Sequence, residues 1–199
     1  MDADLLWFYM RTNGLRVTDL MQGLVYRLSR LECEGNLRLR TNSHYDDIFG
    51  TVVNRFLVRA VAGVQLTVDE KGGQTHGCFN PKNTPQSGRV ATETPAAMGE
   101  LRVVNQFTEQ FTAIELADRV KQVGTALGLP VETQSIPSPR KEREDHYDNA
   151  KHSGCLEFGL EPYYMNDDTL AAIPETIIQY KASVDPKKSC RECAGPSGQ

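Results

Sequence analysis

The chain has 199 residues, of which 39% are hydrophobic and 24% charged, as in one globular domain or two small ones. A net charge of −4 favours neither nucleic acid nor an anionic membrane as a partner, and no apolar run approaches the roughly 20 residues of a membrane helix. The acidic N-terminus is unlike a secretory or transit peptide. Five cysteines, an odd number and mostly far apart, argue for a reducing compartment, so a soluble intracellular protein is expected.

The first third of the chain alternates between helical and strand patterns. Its first helix has no N-cap sequence ahead of it and stops at Asn13-Gly14, so we expect it to be the end of a longer element. The expected elements are a helix at 4–11, a strand at 15–20 running into 23–26, a loop at 27–43, a helix at 46–62 that ends at Gly63, a strand at 66–68 and a glycine turn at 71–75.

The rest of the chain begins with a segment rich in proline and glycine. Residues 77–99 contain Pro81, Pro85, Pro95 and Gly88, so no ordinary helix is expected there. The later elements are expected to be a strand at 101–105, a helix from the capping box Thr112–Glu115 to Gly128, a strand at 131–136, a helix at 169–184 that Pro174 kinks or breaks, and a disordered tail at 187–199. This mixture predicts an α/β fold.

Two polar segments are candidates for binding an anion. The turn Lys71–Thr75 has glycines that let backbone N–H groups approach a phosphate, but it lacks the P-loop spacing, so a plain turn is the alternative. Arg140, in the charged run 139–144, has the geometry to pair with a diphosphate, and a solvated turn is the alternative there. The sequence has no G-x-G-x-x-G fingerprint, so this chain alone is not expected to build a dinucleotide site.

Two further spacings are interpreted as coincidental. Tyr147 and Lys151 have the Tyr-x-x-x-Lys spacing of short-chain dehydrogenases, but residues four apart share a face of any helix. Cys190 and Cys193 form a single C-x-x-C, and a structural zinc ion requires about four ligands. Neither a metal site nor a catalytic residue is therefore predicted.

Several motifs, taken in order, resemble the UDP-sulfoquinovose synthases of the extended short-chain dehydrogenase/epimerase group. The resemblance runs from about residue 5 to 185, and two of its motifs, 45–57 and 105–110, are specific to that branch. The matching segments are 14–26, 45–57, 66–68, 72–75, 105–110, 139–140, 146–147, 149–152 and 159–162.

The resemblance implies both a fold and a reaction. The full-length family proteins hold NAD on a Rossmann domain and make UDP-sulfoquinovose from UDP-glucose and sulfite for sulfolipids, which also suggests the cytoplasm or the plastid stroma. This chain would be their C-terminal half. The implied domains are the end of the Rossmann domain at 1–27, a substrate-binding segment at 28–76, a degraded return to the Rossmann sheet at 77–106, a C-terminal substrate-binding part at 107–185 and a tail at 186–199.

The same resemblance assigns roles to individual residues. Gln22 would contact the sugar nucleotide, and Val25 would lie beside the nicotinamide. The remaining substrate-binding residues would be Asn54 and Arg55 on a helix, Gln74, Thr75 and His76 around the uridine and phosphates, and Arg140, Lys141 and Glu142 at the diphosphate and ribose.

The sequence departs from the family pattern at substrate and scaffold positions. His76 replaces a phosphate-binding arginine, and Asn80-Pro-Lys-Asn83 replaces an Asp-x-Arg-Asp turn before a helix that Pro85 and Gly88 are expected to break. Arg27 also replaces the glycine that follows Tyr26 in the family.

The catalytic Tyr-x-x-x-Lys and the NAD segment of the family would precede Met1. The chain alone is therefore expected to be inactive and to bind no NAD, with an uncovered apolar surface that includes Leu5, Leu6, Trp7, Val17 and Leu20. Its expected partners are a UDP-glucose-type sugar nucleotide and a full-length homologue or a separately encoded N-terminal half. The alternatives are a non-catalytic UDP-sugar-binding or enzyme-docking module, and an unstable gene fragment.

Overall fold

A computed structural model describes residues 2–26, 44–46, 50–69, 73–137 and 150–189. The described elements, in chain order, are α1 (Asp2–Asn13), β1 (Val17–Gln22), β2 (Leu24–Val25), α2 (Val52–Ala62), β3 (Leu66–Asp69), β4 (Thr75–Phe79), α3 (Asn83–Glu93), β5 (Leu101–Gln106), β6 (Glu109–Thr112), α4 (Ala113–Ala126), β7 (Thr133–Ile136), α5 (Gly154–Glu157) and α6 (Asp167–Gln179), followed by short 3-10 helices at Lys181–Ser183 and Pro186–Ser189. The α/β prediction is confirmed.

The chain folds into two units, each made of separate stretches. Unit 1 contains the described parts of 1–25, 77–110 and 149–164, and unit 2 contains those of 26–76, 111–148 and 165–199. The roles inferred for the segments remain predictions. The stretch 150–164, which the sequence suggested as part of the substrate-binding region, lies in unit 1.

Unit 1 is built on parallel strand pairs. Strands β1 and β5 pair in parallel from Val17 opposite Leu101 to Gln22 opposite Gln106, so both strands end at the same edge. Strand β2 pairs in parallel with β4 in a second sheet whose order is β2-β4-β6. The core below these strands consists of Phe79, Val104, Phe107, Cys155 and Leu160.

Helix α3 in unit 1 corrects the expectation that residues 77–99 contain no helix. The helix spans Asn83–Glu93 despite Pro85 and Gly88. Pro85 is the third helical residue, and the first four N–H groups of a helix have no partner within it, so the missing N–H of proline costs nothing there. Proline is compatible with a helix near its start, so the proline and glycine content of the segment did not exclude a helix there.

Unit 2 is a small layer of helices on a two-stranded parallel sheet. Helices α2, α4 and α6 pack on one another, and α4 also contacts β3, which pairs in parallel with β7. The packed faces are apolar, with the largest fully buried side chains being Leu57, Leu116, Leu170 and Ile173. The predicted capping box is present: the Thr112 hydroxyl accepts from Glu115 N at 3.1 Å, and the Glu115 carboxylate accepts from Thr112 N at 2.7 Å.

Three other expectations need correction. Helix α2 begins at Val52, after the N-cap Thr51, and not at Asp46. Helix α6 is continuous from Asp167 to Gln179 although Pro174 lies inside it, so it is not broken. The α1 side chains from Leu5 to Tyr9 are exposed, so the expected uncovered surface is confirmed on the helix. It is not confirmed on β1, where Val17 is buried and Leu20 is partly buried against the core of unit 1.

Candidate functional site

The carboxyl ends of β1 and β5 form the polar edge of unit 1. In parallel α/β sheets, ligands bind in the crevice outside these strand ends. Gln22 ends β1, is exposed, and donates from Nε2 to the Thr84 hydroxyl over 3.4 Å. This position of Gln22 suits the ligand contact that the sequence predicted for it.

The backbone beside Gln22 is closely packed. The N–H of Gly23 donates to the Gln106 carbonyl at 3.1 Å. A Cβ atom on Gly23 would lie 2.5 Å from the Gly77 carbonyl oxygen and 2.8 Å from Phe107 Cβ, so only glycine fits. This packing fixes the direction in which the chain leaves Gln22 and enters β2, where the half-buried Val25 lies opposite Phe79.

The predicted substrate helix of unit 2 contains an unsatisfied polar group. The N–H of Asn54 donates to the N-cap hydroxyl of Thr51 over 3.4 Å, but the side-chain oxygen Oδ1 of Asn54 is buried without a hydrogen-bond partner among the described residues. Leaving a buried acceptor unpaired costs about 1–3 kcal/mol. A donor on a ligand would remove that cost.

Two basic side chains lie close enough in unit 2 to interact electrostatically. Burial lowers the pKa of His76, and the positive charge of Arg55 lowers it further. His76 is therefore neutral at pH 7, while Arg55 supplies the positive charge. Gln74 and Thr75 directly precede His76, and both are half-buried. Arg55 and the 74–76 segment thus combine a cation with polar groups, the set that a phosphate and a nucleoside require.

No family model matches the sequence. The UDP-sulfoquinovose synthase of spinach, described as chloroplastic, is 44% identical over 187 residues, which are 94% of this chain and 39% of that protein. The UDP-sulfoquinovose synthase of Sulfolobus acidocaldarius is 38% identical over 184 residues, which are 92% of this chain and 47% of that protein. The chain is a homologue of the UDP-sulfoquinovose synthases. It spans less than half the length of both relatives.

The solved structures support the fold. The UDP-glucuronic acid 4-epimerase of Bacillus cereus, in complex with UDP-glucuronic acid and NAD, is 17% identical and superposes with a TM-score of 0.63. The superposition covers 89% of this chain and 50% of the epimerase chain. The chain therefore shares the Rossmann-type α/β fold of this epimerase and covers about half of it.

The remaining predicted residues are only partly placed. Arg140, Lys141 and Glu142 lie outside the described residues, as do Tyr147 and the cysteines of the C-x-x-C motif. Lys151 is described, and its Nζ forms a 2.9 Å ion pair with the exposed Glu157. Because residues 138–149 are not described, the roles inferred for Arg140, Lys141 and Glu142 stay predictions.

Several polar residues near this edge of unit 1 were not identified from the sequence. The buried side chains of Ser87, Gln106 and Asn83 all form hydrogen bonds in unit 1. Gln106 lies opposite Gln22 in the register of β1 against β5. It could have been identified only with knowledge of that register, which the sequence alone does not give.

The part of the chain that the structure describes holds neither a membrane-spanning helix nor a cluster of metal ligands. None of the helices there combines the length and hydropathy needed to cross a bilayer. Within the same ranges, His, Cys, Asp and Glu side chains do not cluster in groups of three that could hold a metal ion.

Proposed function

We propose that this chain is the sugar-nucleotide-binding part of a UDP-sulfoquinovose synthase and that it binds a UDP-glucose-type sugar nucleotide. The observation that carries the proposal is the 44% identity with the spinach enzyme, which extends over 94% of the chain and therefore includes both units. The B. cereus epimerase, whose fold the chain shares, was solved with UDP-glucuronic acid.

The polar groups of unit 2 suit the nucleotide. The guanidinium of Arg55 would pair with the diphosphate, because its planar donors match phosphate oxygens. The unsatisfied Oδ1 of Asn54 would accept a hydrogen bond from a hydroxyl or a ring N–H of the ligand. Gln74 and Thr75 would line the uridine, with His76 next to them. Arg140, Lys141 and Glu142 are proposed as further diphosphate and ribose contacts on the evidence of the resemblance alone.

The residues of unit 1 suit the sugar. Gln22 lies at the carboxyl end of β1, where α/β sheets bind their ligands, and its amide can both donate to and accept from sugar hydroxyls. Val25 would lie on the side of the nicotinamide.

The residues present do not fit NAD as a cofactor of this chain alone. The sequence has no G-x-G-x-x-G fingerprint, whose glycines let a pyrophosphate approach a helix N-terminus. Hydride transfer in a UDP-sulfoquinovose synthase would therefore need NAD bound by another polypeptide segment, which we propose is supplied by a full-length homologue or a separate N-terminal half. The exposed apolar side chains of α1 support such a partner, because a helix that is apolar on several faces is normally buried.

Calorimetry and thermal shift with UDP-glucose test the proposal. We expect UDP-glucose and UDP to bind and to raise the melting temperature, ADP-glucose to bind much more weakly, and NAD alone to have no effect. Arg55→Met should weaken UDP-glucose binding by at least tenfold. The matched control is Arg89→Met, because Arg89 is exposed and, among the described residues, forms its ion pair with Glu93 on the surface of α3.

The outcomes separate the alternatives. A protein that melts cooperatively and binds UDP-glucose without any turnover would be a binding module, as proposed for the isolated chain. An unfolded spectrum, or no heat and no thermal shift with UDP-glucose, would contradict the binding proposal. Turnover of UDP-glucose with NAD and sulfite by the isolated chain would contradict the need for a partner.

A further inference from the structure

The last residues of β1 and β5 are both glutamines, and both face the start of α3. Gln22 and Gln106 are register partners in the parallel pair, so their side chains lie at the same edge of the sheet. Gln22 donates from Nε2 to Thr84 Oγ1 over 3.4 Å, and the Gln106 side-chain amide donates to the Ser87 hydroxyl. The first turn and a half of α3 therefore receives a hydrogen bond from each strand end.

The direction of these hydrogen bonds is set by the hydroxyl of Ser87. Ser87 Oγ donates its single proton to the Thr84 carbonyl at 2.9 Å, so it can only accept from Gln106. Ser87 and Gln106 are both buried, and a buried amide or hydroxyl without a partner costs about 1–3 kcal/mol. Burial therefore holds this part of the network in one arrangement, and that arrangement fixes the backbone of Thr84.

The start of α3 is also fixed from its other side. The buried side chain of Asn83 donates to the Tyr163 carbonyl at 2.9 Å and accepts from the Tyr163 N–H at 2.8 Å. The Asn80 side chain accepts from Lys82 N at 3.0 Å in the turn before the helix. Thr84 thus lies on a backbone that is anchored on both sides, and its hydroxyl is a fixed point at the edge of the sheet.

We propose that Thr84 is a positioning residue that holds the amide of Gln22 in place for the sugar nucleotide, with Ser87 and Gln106 holding Thr84. This inference rests on the proposed function, in which Gln22 contacts the sugar. The exposed glutamine side chain has several free rotations, and ordering it costs roughly 1–2 kcal/mol. A hydrogen bond that the glutamine amide donates to a fixed hydroxyl reduces that loss before the ligand arrives.

A double-mutant cycle on UDP-glucose affinity tests the inference. Thr84→Val keeps the size of the side chain and removes the hydroxyl, and Gln22→Ala removes the positioned group. We expect about a fivefold loss of affinity for Thr84→Val, in line with one hydrogen bond. The Gln22→Ala variant should lose more, and adding Thr84→Val to it should cause no further loss, because Thr84 acts only through Gln22.

The same helix offers a matched control. Thr92→Val makes the same change at an exposed position of α3, where the hydroxyl donates to the Gly88 carbonyl at 2.8 Å. It should leave UDP-glucose affinity unchanged, whereas Thr84→Ser should restore most of the affinity that Thr84→Val loses. All variants should melt cooperatively near the wild-type temperature.

Each outcome decides one question. Losses that add in the double variant, or an unchanged affinity in Thr84→Val beside a large loss in Gln22→Ala, would overturn the positioning role but leave UDP-glucose binding standing. Failure of the wild-type chain to bind UDP-glucose would overturn the proposed function and this inference with it.

Discussion

Asn83 provides a direct test of how the start of α3 is held in unit 1. Its side chain is fully buried and forms two hydrogen bonds with the backbone of Tyr163, at 2.9 and 2.8 Å. In Asn83→Ala both backbone groups of Tyr163 lose these partners. Tyr163 itself is 49% exposed, so water can reach its backbone groups in the variant. At about 0.5–1.5 kcal/mol for each hydrogen bond lost, we expect the free energy of unfolding to fall by about 1–3 kcal/mol.

Equilibrium unfolding in urea would measure this loss as a lower midpoint at an unchanged slope. The matched control is Asn105→Ala, because Asn105 is only half-buried and its side chain donates one hydrogen bond, to the Lys151 carbonyl at 2.8 Å. That variant should lose no more than about 1.5 kcal/mol. Equal losses in the two variants would refute the argument that burial and the double contact set the cost.

Two further predictions concern unit 2. Thr112→Ala should destabilise the chain by about 1 kcal/mol in the same urea assay, because it removes the capping box of α4; Thr125→Ala, on the exposed face of α4, is the control and should be nearly neutral. The pKa of His76 is lowered in the folded chain, so the unfolded chain binds more protons at this residue. The free energy of unfolding should therefore decrease as the pH falls below about 6.5, and the part of this decrease that is due to His76 should be absent in His76→Gln. UDP-glucose affinity should change in the opposite sense and rise as pH falls, because a protonated His76 would attract the diphosphate; a flat pH profile would contradict its place at the phosphates.

Much of the fold was predictable because its signals are local. The capping box at Thr112 and the glycine after α2 each depend on neighbouring residues, and both ends were correctly located. Strands β3 and β5 were predicted within one residue of their observed ends. Pro85 and Pro174 led to wrong predictions of a missing and a broken helix, because the cost of proline depends on its position in the helix and on packing, which are not local signals. Pro174 is buried on a face of α6 that it shares with Leu170 and Ile173.

The candidate site was predictable only as far as the family motifs reach. The resemblance named Gln22, Arg55 and His76, but it did not name the groups that hold Gln22 in place. Thr84 lies 62 positions from Gln22, and Tyr163 lies 80 positions from Asn83. Such pairs meet only after the strands have taken a register and α3 has formed, and neither was available from periodicity.

Helix α1 offers the sharpest test of whether unit 1 is covered by another polypeptide. Phe8 is 55% exposed in the isolated chain, whereas Met10 on the same helix is 5% exposed. Full burial of a phenylalanine contributes about 1.5–3 kcal/mol, so Phe8→Ala should reduce the free energy of unfolding by about 1 kcal/mol. Met10→Ala should cost about 2–5 kcal/mol, because it leaves a cavity in the packed side of the helix.

The same pair of variants separates a covered face from a solvent-facing one. If a partner covers α1, then Phe8→Ala should weaken association with the spinach enzyme, measured by analytical ultracentrifugation, by much more than it weakens the fold. Arg11 lies over the Trp7 ring at 5.4 Å, so the indole is already partly shielded and Trp7→Ala should have the smaller effect on association. A large loss of stability in Phe8→Ala, equal to that of Met10→Ala, would show instead that α1 packs within the chain on both faces. In that case the exposed apolar helix would no longer support a partner.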